Sequence, residues 1–148
     1  MRRNRAWIAS HIPHQGEMCL IDEVVEWDAH SIVCRTLTHR DPSNPLRSRD
    51  RLPAVSGIEY AAQSMAIHGA LLSAAATPPG YLASVRGVRL LVDRLDDLPG
   101  DVLVCARRVS GDAVTILYEF DLRSSERALM SGRAAVVLDA AQFANPVT

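Results

Sequence analysis

Lysine is absent from this 148-residue sequence, and all 16 basic residues are arginine. Schiff-base catalysis, a pyridoxal-phosphate anchor and the phosphate-binding loop of nucleotide hydrolases each require a lysine side chain. The chain therefore cannot carry any of these functions by itself. Its formal net charge of −1 gives no indication of nucleic acid or of a membrane surface as a partner.

Cysteine is scarce, and the three that are present, Cys19, Cys34 and Cys105, match no metal-binding spacing. Their odd number and apolar surroundings predict free buried thiols in a reducing cytoplasm. The sequence also lacks a hydrophobic run long enough for a secretory signal core or a membrane span. We therefore expect a cytoplasmic protein with no metal site, no cofactor and no membrane partner.

Hydrophobic residues make up 48% of the chain and charged residues 22%, a globular balance that argues against disorder. The length is enough for one domain with a substantial core and too short for two. We expect a single domain over residues 1–148, with loose termini at residues 1–11 and 140–148.

Charge is almost missing from residues 56–75, which carry the longest helical pattern of the chain. Glu59 is the only charged residue in it, no proline interrupts it, and the pair Pro78-Pro79 ends it. A solvent-facing helix of this length normally carries a charged stripe, so we expect this helix to be buried nearly all round. On a helical wheel, a set of small or polar side chains lies within about 60° of Glu59: Ala62, Gln63, Ala66, Ala70 and Ser73.

Glu59 has two interpretations at this stage. The run Ser56-Gly57-Ile58-Glu59 fits a capping box, in which Ser56 and Glu59 satisfy each other's backbone amides. The periodicity alone favours this structural role. A catalytic role for Glu59 requires independent support.

Alternating or β-branched apolar segments predict six strands, which cover residues 18–26, 31–38, 81–92, 101–109, 114–122 and 127–138. Gly87 indicates a bulge in the third of these strands. The short links predict mostly antiparallel pairing, and a loop over residues 39–52 precedes the helix. One helix against one antiparallel sheet predicts an α+β fold in which the sheet curls about the helix. The open sheet edge and helix flank then predict a dimer.

Two segments carry a family resemblance. Ile12-Pro13-His14 to Glu26 and Leu52-Pro53-Ala54 to Gln63 resemble two motifs of β-hydroxyacyl-[acyl-carrier-protein] dehydratases, which have the hotdog fold. The run Gly57-Ile58-Glu59-Tyr60 with Gln63 is most similar to the predicted dehydratase branch associated with aryl-polyene and polyketide pathways. The resemblance implies dehydration of a thioester bound to an acyl carrier protein or CoA, by a homodimer or by a heterodimer with another hotdog subunit.

The resemblance also assigns roles to residues. Glu59 falls on the family's catalytic carboxylate, and the expected substrate-binding residues are Ala54, Val55, Gly57 and Gln63. The family's catalytic histidine precedes the helix, but residues 44–51 contain no histidine. A histidine of near-neutral pKa is still the expected base. His14 is the first choice and His39 the second, while a structural role for His14 stays open.

Three functions remain open from the sequence. The first is a dehydratase with Glu59 as acid and a histidine as base. The second is a thioesterase of the same fold, in which Glu59 orients water or attacks the thioester. The third is a non-catalytic subunit that binds acyl chains or completes an active heterodimer. The arginines at positions 40, 47, 49 and 51 are either a solvated loop or a contact for a phosphate or an acidic carrier protein.

Overall fold

The computed structural model describes residues 3–12, 16–73 and 80–138. Its helices are α1 (Arg5–His11) and α2 (Gly57–Leu72), and its strands are β1 (Arg3–Asn4), β2 (Glu23–Trp27), β3 (Ser31–Thr36), β4 (Gly80–Leu90), β5 (Val102–Gly111), β6 (Thr115–Arg123) and β7 (Ala128–Leu138). Short 3₁₀ turns cover Gly16–Met18, Thr38–Arg40 and Ala54–Ser56.

The strands form one antiparallel sheet in the order β1-β2-β3-β5-β6-β7-β4. Alternate residues of β3, β5 and β6 are buried, as period-two patterning requires. Helix α2 contacts these same three strands. The predicted arrangement of one long helix against one antiparallel sheet is therefore confirmed.

The predicted bulge at Gly87 is also present. The pairing of β4 with β7 shifts register between Arg86 and Arg89, and Gly87 has a φ of 60°. Only glycine adopts this left-handed backbone without a steric cost. The bulge bends β4, which forms the edge of the sheet.

The N-terminal region differs from the sequence-based expectation. Residues 3–11, expected to be loose, form β1 and α1, and the side chain of Ile8 is fully buried. Asn4 caps α1 by accepting a hydrogen bond from the Trp7 amide at 3.0 Å, and Arg5 forms an ion pair with Asp22 at 3.0 Å. The expected loose tail at residues 140–148 lies outside the described residues.

Helix α2 is less enclosed than predicted. Eight of its residues are buried against the sheet, but a stripe along the opposite flank stays half-exposed. That stripe, which we call the open face, consists of Glu59, Ala62, Ala66, Ala70 and the adjoining Ser73. Gln63, predicted to lie near this stripe, is fully buried. The open face is where a ligand or a second subunit can approach the helix.

Candidate active site

The carboxylate of Glu59 stands on the first turn of α2 and is not used in a cap. Ser56 has helical backbone angles, and its side chain makes no capping hydrogen bond. The Ser56 amide donates to the carbonyl of Pro53 at 3.0 Å, so it is not available to Glu59. Within the described part of the chain Glu59 has no hydrogen bond or ion pair. The capping-box interpretation therefore does not describe this structure.

A half-buried carboxylate at this position sits in the field of the helix N-terminus. The partial positive charge of the first turn stabilises an anion there. Since no donor among the described residues bonds to Glu59, its oxygens are available to exchange a proton with a bound molecule.

The backbone amides that precede Glu59 are mostly occupied. The Ala54 amide donates to the carbonyl of Asp93 at 3.0 Å, and the Gly57 amide donates to the carbonyl of Ala54. The Val55 amide has no acceptor among the described residues, and the Val55 side chain is 51% exposed. Of the expected substrate-binding amides, that of Val55 is the one left free to donate to a ligand.

Gly57 has a packing role in addition. A Cβ at this position would lie 2.2 Å from the sulfur of Met130 and 3.1 Å from a methyl carbon of Leu122. A real Cβ does not approach other atoms this closely. Glycine therefore lets the first turn of α2 lie directly against the sheet.

Gln63 connects the helix to the segment that follows His14. Its carbonyl oxygen accepts from the Leu20 amide at 2.8 Å, and its nitrogen donates to the Met18 carbonyl at 2.6 Å. Both polar groups of this fully buried side chain therefore form hydrogen bonds with backbone atoms. Because Gln63 is one turn beyond Glu59, it fixes residues 18–20 beside α2 near the site.

Tyr60 anchors the loop before the helix, a feature that the sequence analysis missed. The Tyr60 hydroxyl lies 2.8 Å from the hydroxyl of Thr38 and accepts from the Asn44 side chain at 2.9 Å. Thr38 in turn donates to the Leu20 carbonyl at 2.7 Å. These contacts join three separate segments around the Tyr60 hydroxyl, on the residue that follows Glu59. A tyrosine directly after Glu59, within the run Gly57-Ile58-Glu59-Tyr60, was the available signal.

Four of the five histidines lie within the described residues, and two of these are buried. His39 is fully buried, its Nε2 lies 3.2 Å from the Leu98 carbonyl, and its Nδ1 has no hydrogen-bond partner among the described residues. Burial lowers the pKa of His39. A substrate cannot reach this ring in the present conformation. His14, the first choice for the base, lies outside the described residues.

His68 is also buried and lies between two partners. Its Nδ1 is 2.7 Å from the hydroxyl of Tyr118, and its Nε2 is 2.8 Å from the carbonyl of Asp28. The carbonyl can only accept, so Nε2 carries the hydrogen and Tyr118 donates to Nδ1. Burial lowers the pKa of His68. Its contacts place it on the sheet side of α2, away from Glu59.

The two remaining described histidines are exposed. His11 stacks on Trp7 with ring centroids 3.9 Å apart, and its Nδ1 lies 2.7 Å from the Trp7 carbonyl. His30 lies in the turn between β2 and β3. Neither ring contacts Glu59.

The loop that replaces the family's histidine segment ends in a tight turn. Ser48 and Arg51 exchange both backbone hydrogen bonds, at 2.8 and 3.0 Å. Arg49 and Asp50 at its tip have φ values of 53° and 62°. An Arg47 nitrogen donates to the Asp50 carbonyl at 3.3 Å. The turn presents arginine side chains to solvent shortly before α2.

A cavity of about 680 Å³ lies on the outer face of the sheet, lined by Cys105, Asp121 and Arg133 among others. Glu59 is not among the residues that line it. Across the described ranges, no three or more histidine, cysteine or acidic side chains converge as metal ligands. None of the described helices is long and apolar enough to span a membrane.

Comparisons with solved structures identify the fold. The dehydratase heterocomplex ApeI:P from Xenorhabdus doucetiae matches with a TM-score of 0.81 at 20% identity, over 93% of this chain and 97% of that chain. A thioesterase from Haemophilus influenzae matches with a TM-score of 0.59 at 13% identity, over 78% and 76% of the two chains. The PaaI protein of E. coli matches with a TM-score of 0.58 at 10% identity, over 77% and 80%. The chain has the hotdog fold, as the resemblance implied.

A comparison with family models identifies the family. No curated protein sequence matches the chain. The model of the ApeP-like family, described as ApeP dehydratase, matches residues 6–145. Since this match covers nearly the whole sequence, the chain belongs to the ApeP-like dehydratase family.

Proposed function

We propose that this protein dehydrates a β-hydroxyacyl thioester, bound to an acyl carrier protein or CoA, to the enoyl thioester. The observation that carries the proposal is the half-buried Glu59 carboxylate, which has no partner among the described residues although it stands at the start of the central helix. Because the chain belongs to a dehydratase family, we propose dehydration as the reaction in which this carboxylate acts.

The proposed reaction needs three groups. A base removes the α-proton, Glu59 protonates the β-hydroxyl as the C–O bond breaks, and a donor stabilises the enolate-like thioester oxygen. The electron pair of the broken C–H bond forms the new double bond, and water leaves. The free Val55 amide, assisted by the dipole of α2, is the proposed donor to the thioester oxygen.

His14 is the proposed base. It lies four positions before Met18, so the chain between the two residues spans at most about 14 Å. The Gln63 side chain holds Met18 one helical turn from Glu59. This anchor supports a position of His14 within reach of the site. His39 and His68 do not serve as alternatives because their rings are buried and bonded to backbone carbonyls.

The active unit is proposed to contain a second hotdog subunit. Strand β4 pairs only with β7, so its other edge is open within the described chain. Four apolar side chains on or beside β4 are exposed: Tyr81, Leu82, Leu90 and Leu91. An open edge flanked by apolar residues favours pairing with another sheet. Similarity to the ApeI:P heterocomplex supports a different subunit as an alternative to a second copy.

The product formed from a β-hydroxyacyl thioester tests this proposal. Purified protein, alone and with a co-expressed hotdog subunit, should form the enoyl thioester, which is followed by its absorbance and by mass spectrometry. Release of free thiol without enoyl product would instead indicate a thioesterase. Turnover that appears only with the second subunit, and that survives loss of Glu59, would assign this chain a non-catalytic role.

Substitution of His14 tests the base. We expect His14→Asn to lower kcat by about 10²-fold, the scale of a lost acid–base group. His11→Asn is the matched control, because His11 is an exposed histidine that makes only local contacts on α1. An unchanged kcat in His14→Asn would indicate that the base is a residue of the second subunit.

A further inference from the structure

A loop between β4 and β5, residues 93–98, binds the segment of chain that leads into α2. The Asp93 carbonyl accepts from the Ala54 amide at 3.0 Å, and the Leu95 amide donates to the Leu52 carbonyl at 2.8 Å. Arg94 lies opposite Pro53 in an isolated antiparallel bridge. We call this loop the support loop. It touches every residue from Leu52 to Ala54.

Asp96 makes the side-chain contact within this arrangement. One of its oxygens accepts from the Leu52 amide at 2.9 Å and from the Arg94 Nε at 3.0 Å. The other oxygen pairs with a terminal nitrogen of Arg94. The Asp96 side chain is only 6% exposed. A carboxylate so enclosed, and bonded to both a backbone amide and a guanidinium, is a strong and well-oriented acceptor.

The electrostatics keep this acceptor charged. The hydrogen bond from Arg94 holds the pKa of Asp96 well below its usual range, and the Leu52 amide contributes in the same direction. Asp96 is therefore ionised throughout the physiological pH range.

Burial of the support loop does not depend on the carboxylate. Leu95 and Leu98 are 1% and 5% exposed and hold the loop in the core, and the Leu98 carbonyl lies 3.2 Å from the ring of His39. Asp96 instead orients Leu52, because it accepts the hydrogen bond from the Leu52 amide. Three residues later the chain presents the unpaired Val55 amide, and seven residues later Glu59.

We infer that Asp96 is a positioning residue for the dehydration reaction, which fixes Leu52 and thereby the direction of the Val55 amide and the first turn of α2. This inference rests on the proposed function. The side chain of Asp96 bonds to Leu52 and Arg94 and not to Glu59. Its removal should therefore misplace the catalytic groups without weakening substrate binding directly. A small displacement of such groups is costly, since catalysis depends on near-attack geometry.

The experiment compares Asp96→Ala, Asp96→Asn and the control Asp97→Ala in the full-length protein with its active partner. Asp97 is on the same loop, but its side chain is 57% exposed. We expect Asp96→Ala to lower kcat about tenfold with KM unchanged. Asp96→Asn keeps an oxygen that can accept from the Leu52 amide, so it should recover part of the loss. Asp97→Ala should match the wild type.

A second control separates positioning from general loss of stability. Ile116→Val trims a buried side chain on β6, away from the support loop. It should lower the melting temperature and leave kcat unchanged. The inference is overturned if Asp96→Ala keeps the wild-type kcat, or if Ile116→Val loses kcat to the same extent at an equal loss of melting temperature.

Hydrogen–deuterium exchange tests the geometric part without activity. Amides of residues 52–58 should exchange faster in Asp96→Ala, and those of β5 and β6 should not. If the wild type dehydrates no thioester, the proposed function fails, and the exchange rates alone decide whether Asp96 fixes this segment. Unchanged exchange over residues 52–58 contradicts the inference in either case.

Discussion

His68 and His39 are buried histidines whose ring nitrogens contact backbone carbonyls. Burial lowers the pKa of both rings below 6.5. As the pH falls below 6.5, these two histidines bind protons in the unfolded chain but remain neutral in the folded chain. The stability present above pH 6.5 is therefore lost progressively below it.

We expect the free energy of unfolding to fall by on the order of 1 kcal/mol between pH 7.5 and pH 5.5. Urea denaturation at the two pH values measures this difference. His68→Gln removes one of the titrating groups and should reduce the pH dependence. An equal slope in wild type and His68→Gln would show that His68 does not contribute.

Part of the site was predictable from single residues. Glu59 stands out because it is the only charge in a long apolar helix, and the resemblance gave it a role. The Ala54 amide was a reasonable candidate donor, but its acceptor, the Asp93 carbonyl, lies 39 residues further along the chain. The contacts of Tyr60 with Thr38 and Asn44 could not be predicted from the sequence either, because local periodicity carries no information about residues that are distant in the chain.

Helix α2 packs closely against the sheet at Gly57, near its start, but not at Gly69, near its end. At Gly57 a Cβ would lie 2.2 Å from the Met130 sulfur, whereas at Gly69 nothing lies within 4 Å. Gly57→Ala should therefore destabilise the protein by about 1–3 kcal/mol through overpacking.

Gly69→Ala provides the matched control in the same helix. It should stabilise the protein by about 0.5–1 kcal/mol, because alanine loses less backbone entropy in a helix than glycine. Thermal denaturation compares the two. A stabilising Gly57→Ala would contradict the close packing of α2 on β7.

The elements themselves followed closely from patterning. Alternation placed β5, β6 and β7 within two residues of their observed bounds. The N-terminal elements were missed because three arginines among the first five residues resemble a frayed end. Asn4 and Asp22 supply the cap and the ion pair that order them, and Asp22 becomes a neighbour only in the folded chain.

Viewed as a whole, the molecule leaves the outer edge of β4 unpaired among the described residues, and the open face of α2 stays half-exposed. Leu90 is 47% exposed beside the β4 edge, and Leu117 is 44% exposed on β6 in the interior of the sheet. If the second subunit joins at β4, Leu90→Glu should weaken that association and shift the mass measured by light scattering towards the monomer.

Leu117→Glu is the control for this prediction, because it places the same charge at a similarly exposed leucine away from the edge. It should leave the oligomeric state unchanged. A monomeric wild type that gains no partner from a co-expressed hotdog subunit would contradict the proposed assembly, as would dissociation by Leu117→Glu alone.

The Glu59 carboxylate is proposed to transfer a proton and to have no structural role. The most direct measurement is kcat for dehydration by Glu59→Gln, beside its melting temperature and beside the exposed control Glu126→Gln. We expect kcat to fall by about 10²-fold or more with the melting temperature unchanged, because the carboxylate bonds to no described residue. Wild-type turnover in Glu59→Gln, or a loss of turnover that follows a loss of stability, would contradict the claim.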